Sequence, residues 1–166
     1  GKEAVTLRQL LSHSSGLKPY LGTDEWAPPR TAVLDTIMAQ PLTYTPGTKS
    51  KYSGLNFLTL MHVVEIVTGR DFDAFCRTEI FDPLGMEQTR FYSLDRTADW
   101  VVPTTDTTGT EYRGSVHDPM ARAMDGVAGN AGLFSTARDL ARFGYMLTHE
   151  GRIDGRQFLE PETIET

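Results

Sequence analysis

The feature that most constrains the fold of this chain is a strongly apolar stretch between Ser53 and Thr68. Apolar side chains recur there at helical spacing, which predicts a helix. They occupy both the main stripe and the positions beside it: Leu55, Phe57, Leu58, Leu60, Met61, Val63, Val64, Ile66 and Val67. Because a surface helix carries a narrower apolar stripe, we expect this helix to be buried on most sides and to end at Gly69.

Four further helices are predicted, over residues 6–16, 30–39, 71–82 and 136–149. Thr6 with Gln9 three residues later is typical of a capping box, so the first of them is expected to begin at Thr6. The last is expected to be capped by Ser135 or Thr136 and to end at Gly151. The inner faces of the last three helices are predicted to be apolar: Val33, Leu34, Ile37, Met38, Phe72, Phe75, Cys76, Ile80, Leu140, Phe143, Met146 and Leu147.

Less regular segments lie between the helices. Residues 100–104 and 110–114 look like two short strands across a Thr/Gly turn, with Pro103 limiting the first to an edge. The glycine-rich loop 126–132 has no strand before it and no lysine at its end, as a phosphate-binding turn would require. We therefore predict close backbone packing of this loop rather than phosphate binding.

Composition narrows the function classes. The chain has 166 residues and a net charge of −6 without basic clusters, so a nucleic-acid partner is not expected. It has no apolar run of about 18 residues that would span a membrane. The start shows no signal-peptide pattern, which carries no weight for an excised segment. One cysteine, Cys76, excludes an internal disulfide.

Tyr52, at the start of the apolar helix, is the principal candidate for chemistry. A phenol has an ordinary pKa of about 10, and nearby cations favour its phenolate form. Lys49 and Lys51 are close in sequence. The alternative is a tyrosine whose ring only packs at the helix N-terminus.

Residues 15–18, Ser-Gly-Leu-Lys, match the S-x-x-K spacing of a serine nucleophile and its lysine. That pair requires a helix, so that the lysine amine reaches the serine oxygen. Gly16 and Pro19 interrupt a helix here, and we predict a turn instead.

The remaining candidates favour structural roles. The four histidines, His13, His62, His117 and His149, show no zinc-binding pattern, and no metal or cofactor is predicted. His13 and His62 are interpreted as core-edge or surface residues. His117 and Asp118 are either an acid–base pair or, more simply, part of a structural hydrogen bond. Cys76 is expected to be a buried, unreactive thiol.

Four segments in order resemble the serine β-lactamase-related family, which includes class C β-lactamases, penicillin-binding DD-peptidases and esterases. Residues 5–17 resemble its T-x-R-x-L-L-x-H-x-S-G-L segment, and residues 46–53 resemble P-G-x-x-x-x-Y-S. Residues 80–86 resemble I-x-x-P-L-G-M, and residues 131–140 resemble A-G-L-x-S-T-x-x-D-L. Order and spacing agree over nearly the whole chain.

The resemblance implies a serine acyl-enzyme mechanism on lactam, ester or D-Ala peptide carbonyls, with Tyr52 as the proton shuttle. It also implies an α+β fold, of which residues 1–166 would be a single partial domain: the helical lobe, mainly α with a small β-hairpin. The partner would be a small-molecule or peptidoglycan-like substrate, and the location periplasmic or secreted in a bacterium. An apolar face left uncovered would favour self-association.

Several departures from the family pattern qualify this expectation. The family's catalytic S-x-x-K precedes the first segment, and its Lys/His-Thr/Ser-Gly motif follows the last one. With the helix-start signal at Pro161, this predicts a truncated segment that is inactive alone. Gly54 stands where the family often has asparagine or aspartate, which favours an esterase-like member, and Asn130 replaces a histidine. Asn56 would be turned about 200° away from position 54 on a helix. A non-catalytic binding or regulatory module that kept this lobe is the alternative.

Overall fold

The computed structural model describes residues 2–22, 30–91 and 100–165, which are mainly helical with two small β-hairpins. The helices are α1 (Leu7–Leu11), α2 (Arg30–Ala39), α3 (Gly54–Thr68), α4 (Phe72–Cys76), α5 (Pro119–Ala123), α6 (Ala137–Thr148) and α7 (Pro161–Ile164). The antiparallel strand pairs are β1 (Thr104–Thr105) with β2 (Glu111–Tyr112) and β3 (Arg152–Ile153) with β4 (Arg156–Gln157). The predicted fold class, mainly α with a small β component, is confirmed. A π-helical turn, Arg77–Phe81, continues α4 and was not predicted.

The helix boundaries follow local capping chemistry. The Thr6 hydroxyl accepts a hydrogen bond from the Gln9 amide at 3.2 Å, and the Gln9 side chain accepts one from the Thr6 amide at 3.0 Å. These two bonds form the predicted capping box of α1. Helix α2 has the predicted bounds, and Gly69 ends α3 in the left-handed conformation with φ 64°. Thr136 caps α6, since its hydroxyl accepts from the Asp139 amide.

The chain divides into two compact units, and the first consists of Gly1–Phe72 and Phe91–Gly132. Helices α1 and α2 pack against α3, and α5 packs against α2. The hydrophobic core between them consists of buried aliphatic side chains: Leu10, Leu17, Leu21, Val33, Leu34, Ile37, Leu55, Leu58, Met61, Met120, Ala121, Met124 and Ala128. The core therefore surrounds the first two turns of α3.

The burial prediction for α3 is correct only for its N-terminal half. Leu55, Leu58 and Met61 are at most 1% exposed, whereas Ile66 and Val67 are 68% and 78% exposed. The α3 residues that belong to the hydrophobic core lie in its first two turns, whereas Ile66 and Val67 lie in its last turn. Met38 of α2 was also predicted to face inward and is 40% exposed.

The backbone of the glycine-rich loop is closely packed, as predicted, and the helix that it contacts is α3. A Cβ atom on Gly129 would lie 2.2 Å from the Phe57 carbonyl oxygen, far inside van der Waals contact. Only glycine permits this approach of the loop backbone to the helix. The loop is thereby held against the N-terminal half of α3.

The second unit consists of Asp73–Arg90 and Leu133–Thr166. Arg90 and Phe134 exchange two backbone hydrogen bonds, of 3.0 and 2.8 Å. Asp139, 2% exposed, accepts from the Gln88 amide and the Thr89 hydroxyl at 2.8 Å each. Its buried carboxylate thus ties α6 to the turn that ends at Arg90.

This contact explains why the predicted inner face of α6 is partly wrong. Met146 is fully buried, but Leu140 and Leu147 are 56% and 37% exposed. Asp139 faces inward to bind the turn, and its neighbour Leu140 lies about 100° around the helix. A buried polar contact therefore decides the rotation of α6, which hydrophobic periodicity alone cannot reveal.

The strand predictions identify the first hairpin but not its length. The observed ladder pairs Thr104–Thr105 with Glu111–Tyr112, so only Thr104 of the predicted segment 100–104 and two residues of 110–114 belong to it. Pro103 lacks a backbone N–H and cannot extend it. No helix within the described ranges is both long and apolar enough to cross a membrane.

Candidate active site around Tyr52

Tyr52 is exposed at the surface, and the residue that follows it is buried. Its side chain is 68% exposed, whereas Ser53, the residue that precedes α3, is fully buried. The Ser53 hydroxyl donates to the Lys18 carbonyl at 2.7 Å, and the Gly54 amide donates to the Pro19 carbonyl at 2.9 Å. The phenol therefore projects into solvent while the backbone that carries it is fixed.

His13 holds the backbone on both sides of Tyr52. Its carbonyl accepts from the Lys51 amide at 2.8 Å, and its ring nitrogen Nδ1 accepts from the Ser53 amide at 3.2 Å. The His13 and Tyr52 ring centroids are 4.8 Å apart, with the rings tilted by 42°. The interpretation of His13 as a core-edge or surface residue does not include this contact. The family segment over residues 5–17 includes His13 but does not indicate its partner, because the bonded residues are 40 positions apart.

Asn56 and Ser15 complete the network below the tyrosine. The Ser15 hydroxyl donates to Asn56 Oδ1 at 2.5 Å, and Asn56 Nδ2 lies 3.1 Å from His13 Nδ1. Ser15 and Asn56 are at most 1% exposed. Asn56 therefore faces the interior.

The rejection of residues 15–18 as a nucleophile motif is confirmed. These residues do not form a helix, and Gly16 has φ +90°. The Ser15 hydroxyl is buried and also accepts from the Leu17 amide at 3.1 Å. A serine in this position cannot meet a substrate carbonyl.

Gly54 lies next to Asn130. A Cβ atom on Gly54 would lie 3.4 Å from Asn130 Nδ2 and 3.9 Å from Asn130 Cβ. Asn130 Oδ1 is buried, and no described residue gives it a hydrogen bond. The two departures from the family pattern are thus neighbours in space, although 76 positions separate them in sequence.

The two lysines that are near Tyr52 in sequence have contacts with other residues. The Lys49 ammonium lies 6.0 Å from the centroid of the Tyr44 ring. Lys51 is placed by its backbone bond to His13. The role of Tyr52 in proton transfer stays a prediction.

The other candidates have structural contacts. Asp118 caps α5 by accepting from the Ala121 amide at 2.7 Å, and His117 Nδ1 lies 3.0 Å from the Thr104 hydroxyl. These separate partners favour the structural interpretation over an acid–base pair. Burial raises the pKa of the Cys76 thiol to about 11, and the Asp73 carboxylate adds to the effect. A thiol with this pKa is protonated near neutral pH and unreactive. Among the described residues, His, Cys, Asp and Glu form no group of three or more that could hold a metal ion.

The family model described as beta-lactamase matches residues 1–166. The chain therefore belongs to the β-lactamase family, whose members are serine hydrolases.

Individual relatives agree with this assignment. The chain is 28% identical over 188 residues to the N-acetylmuramyl-L-alanine amidase of Bacillus subtilis (strain 168), covering 99% of the chain and 43% of the relative. It is 30% identical over 189 residues to the Escherichia coli O157:H7 protein named "Putative D-alanyl-D-alanine carboxypeptidase", with the same coverage, 99% and 43%. The chain thus spans less than half the length of both curated relatives.

A solved structure shows the same fold. The penicillin-binding protein from Bacillus halodurans matches with a TM-score of 0.72 at 20% identity, over 99% of this chain and 51% of that protein. The described residues correspond to the helical lobe of the β-lactamase/transpeptidase-like fold, as the sequence predicted.

Proposed function

We propose that this chain is the helical lobe of a serine hydrolase in which Tyr52 relays a proton for a serine nucleophile carried elsewhere in the enzyme. The supporting observation is that the Tyr52 phenol is exposed while the residues beneath it are buried and hydrogen-bonded. A side chain held in this way can meet groups that the chain itself does not supply. The 43% share of the curated relatives leaves more than half of such an enzyme for those groups.

The chemistry explains why a phenol is needed. A serine hydroxyl is a weak nucleophile until a base takes its proton. As the serine oxygen attacks the substrate carbonyl carbon, Tyr52 accepts that proton and then delivers it to the leaving amine or alcohol. Water later attacks the acyl-enzyme carbonyl carbon. Tyr52 accepts a proton from that water and passes it to the serine oxygen as the bond between this oxygen and the acyl carbon breaks. A lysine one helical turn after the serine would supply the positive charge that favours phenolate.

The substrate class is inferred from the relatives and from Gly54. The curated relatives are named as an N-acetylmuramyl-L-alanine amidase and a D-alanyl-D-alanine carboxypeptidase, so we propose a peptidoglycan-like amide or a related ester as substrate. Lactams, peptides and esters share one acyl-transfer chemistry and differ in the pocket. Gly54 removes the side chain that the family often carries beside the tyrosine, which favours an ester.

Replacing Tyr52 by phenylalanine in the full-length protein tests the proposal. Tyr52→Phe keeps the ring and removes only the hydroxyl, and general acid–base catalysis contributes about 10² to 10⁴-fold. We expect kcat/KM on chromogenic lactam and ester substrates to fall by a factor in this range. Tyr20→Phe is the matched control, since Tyr20 is also 68% exposed, and it should keep full activity.

Two further measurements separate the alternatives. We expect a serine-directed fluorophosphonate to label the full-length protein and to leave the isolated 166 residues unlabelled. Labelling of the isolated chain contradicts the assignment of the nucleophile to another segment. Full activity of Tyr52→Phe contradicts its role as a proton relay. Absence of labelling in the full-length protein favours a non-catalytic module.

A further inference from the structure

His13 connects the two segments of the chain that carry the candidate site, the turn after α1 and the start of α3. It follows α1, and its backbone is in the left-handed region with φ 54°. Non-glycine residues seldom adopt this conformation, although histidine and asparagine do so more often than most. In this conformation the His13 carbonyl and ring both reach residues 51–53. An uncommon backbone conformation next to a candidate catalytic residue invites a functional explanation.

The hydrogen bonds determine which ring nitrogen of His13 carries the proton. A backbone N–H only donates, so the Ser53 amide at 3.2 Å requires a lone pair on His13 Nδ1. The proton of the neutral ring is therefore on Nε2. For the same reason the amide group of Asn56, 3.1 Å away, must turn its NH₂ toward the ring. Its oxygen then receives the Ser15 hydroxyl, which agrees with the 2.5 Å bond observed.

The position of Tyr52 depends on these contacts. The residues on either side of it, Lys51 and Ser53, both donate their amides to His13. The imidazole ring also lies 4.8 Å from the phenol ring, between centroids. His13 thus limits both the backbone and the ring of Tyr52, although Tyr52 is 68% exposed.

We propose that His13 is a positioning residue, whose Nδ1 lone pair and left-handed backbone hold the Tyr52 hydroxyl in place for proton transfer. The proposal rests on the function proposed for Tyr52. A displacement of about 1 Å in a catalytic group can cost about 10²-fold in rate. Loss of the Nδ1 acceptor should therefore lower kcat even when the protein remains folded.

Three substitutions in the full-length protein separate the contributions. His13→Asn keeps an acceptor, because Asn Oδ1 lies the same number of bonds from Cα as His Nδ1, and asparagine tolerates the left-handed backbone. His13→Gly keeps the backbone freedom and removes the acceptor. His13→Ala removes both. We expect His13→Gly to lower kcat about 100-fold, with KM and the fraction of serine labelled by fluorophosphonate nearly unchanged, and His13→Asn to restore most of the rate.

The outcomes distinguish this proposal from the proposed function. Equal and undiminished kcat in His13→Gly and His13→Asn overturns the role of His13. In that case a loss of kcat/KM in Tyr52→Phe still supports the role of Tyr52. Equal losses in both His13 variants overturn the acceptor assignment, since the acceptor would not matter. An active Tyr52→Phe enzyme overturns both proposals.

A spectroscopic measurement does not depend on how well the variants fold. In the wild-type full-length protein, ¹⁵N NMR of the imidazole should show His13 as the Nε2–H form. An Nδ1–H form would contradict the hydrogen bond to Ser53 and overturn the proposal.

Discussion

At the scale of single residues, Tyr52 is supported from below by buried polar side chains whose hydrogen bonds are made. Ser15, Ser53 and Asn56 are almost completely buried, and each has hydrogen-bond partners in the structure. Burial of such groups is tolerated when their hydrogen bonds are made, and it then favours one arrangement over others. These buried groups fix the backbone beneath Tyr52. Its phenol, unlike them, remains exposed at the surface.

The contact between Gly54 and Asn130 leads to a prediction of coupling. Gly54→Asn would place a new carboxamide beside Asn130, 3.4 Å from its Nδ2 already at the Cβ atom. We expect Gly54→Asn to destabilise the full-length protein and Asn130→Ala to relieve that effect. The coupling free energy should fall within about 0.5–3 kcal/mol, as found for residues in contact. Urea unfolding of the two single variants and the double variant measures it.

Gly144 provides the control for this cycle. It also lies in a helix, and a Cβ atom there would meet no atom within 4 Å. Gly144→Asn combined with Asn130→Ala should therefore give additive changes in unfolding free energy. Additivity in the Gly54 pair as well would mean that the two positions do not interact.

At the scale of elements, the hairpin β1–β2 depends on one carboxylate. Asp106 accepts hydrogen bonds from the Thr108 hydroxyl at 2.6 Å, from the Thr108 and Thr110 amides at 2.9 and 3.0 Å, and from the Tyr112 hydroxyl at 3.1 Å. These bonds, above all that from the Thr108 hydroxyl, lower the pKa of Asp106 to about 2. The turn is thus stabilised by a charged acceptor at its centre.

The lowered pKa predicts how the hairpin responds to acid. A carboxyl whose pKa is lower in the folded state stabilises that state above its ordinary pKa of about 3.9, and the effect is lost as the pH falls toward 2. We expect the amide signals of Thr108 and Thr110 to titrate with a midpoint near 2 in ¹H–¹⁵N NMR spectra. Asp106→Asn should remove this titration. A midpoint near the ordinary value would contradict the hydrogen bonds described.

The elements also show what sequence patterns can and cannot predict. Capping residues and periodicity give α2 its bounds and α1 its start, since these signals are local. The second hairpin, β3–β4, was missed although Asp154-Gly155 is a typical hairpin turn, with φ of 49° and 76° at the two residues. Two-residue strands carry too little alternation to be recognised beside such a turn. The face of α6 was misjudged because Asp139 binds a turn 50 residues away.

The same limit applies to the candidate site. Tyr52 was found because its segment, residues 46–53, resembles a family motif and begins a strong helix. His13 and Ser15 also lie in a family segment, residues 5–17, but their contacts with Asn56 were not predicted, because these contacts join segments more than 40 positions apart. A hydrogen bond between distant segments leaves no periodic trace in the sequence.

At the scale of the whole molecule, exposed apolar side chains remain on the second unit. Leu140 and Leu147 lie two turns apart on one side of α6 and are 56% and 37% exposed. Leu133, shortly before this helix, is 46% exposed. Exposed apolar side chains of this kind favour association in water.

The isolated chain is therefore expected to self-associate. Sedimentation velocity over a range of concentrations should show an apparent mass that rises with concentration. Replacing both Leu140 and Leu147 by glutamate should shift the chain toward the monomer. Val102→Glu is the control, because Val102 is 83% exposed but belongs to the other unit, and it should leave the association unchanged. A wild-type chain that is monomeric at all concentrations would contradict the expectation.

The bonds from His13 to Ser53 and Asn56 bridge 40 and 43 positions along the chain. Closing a loop of that length costs conformational entropy before any contact across it is gained. A synthetic peptide that contains only the tyrosine and its helix would lack the histidine and could not hold the phenol in the same way. Transplanting this tyrosine into another scaffold therefore requires the turn after α1 as well as the start of α3.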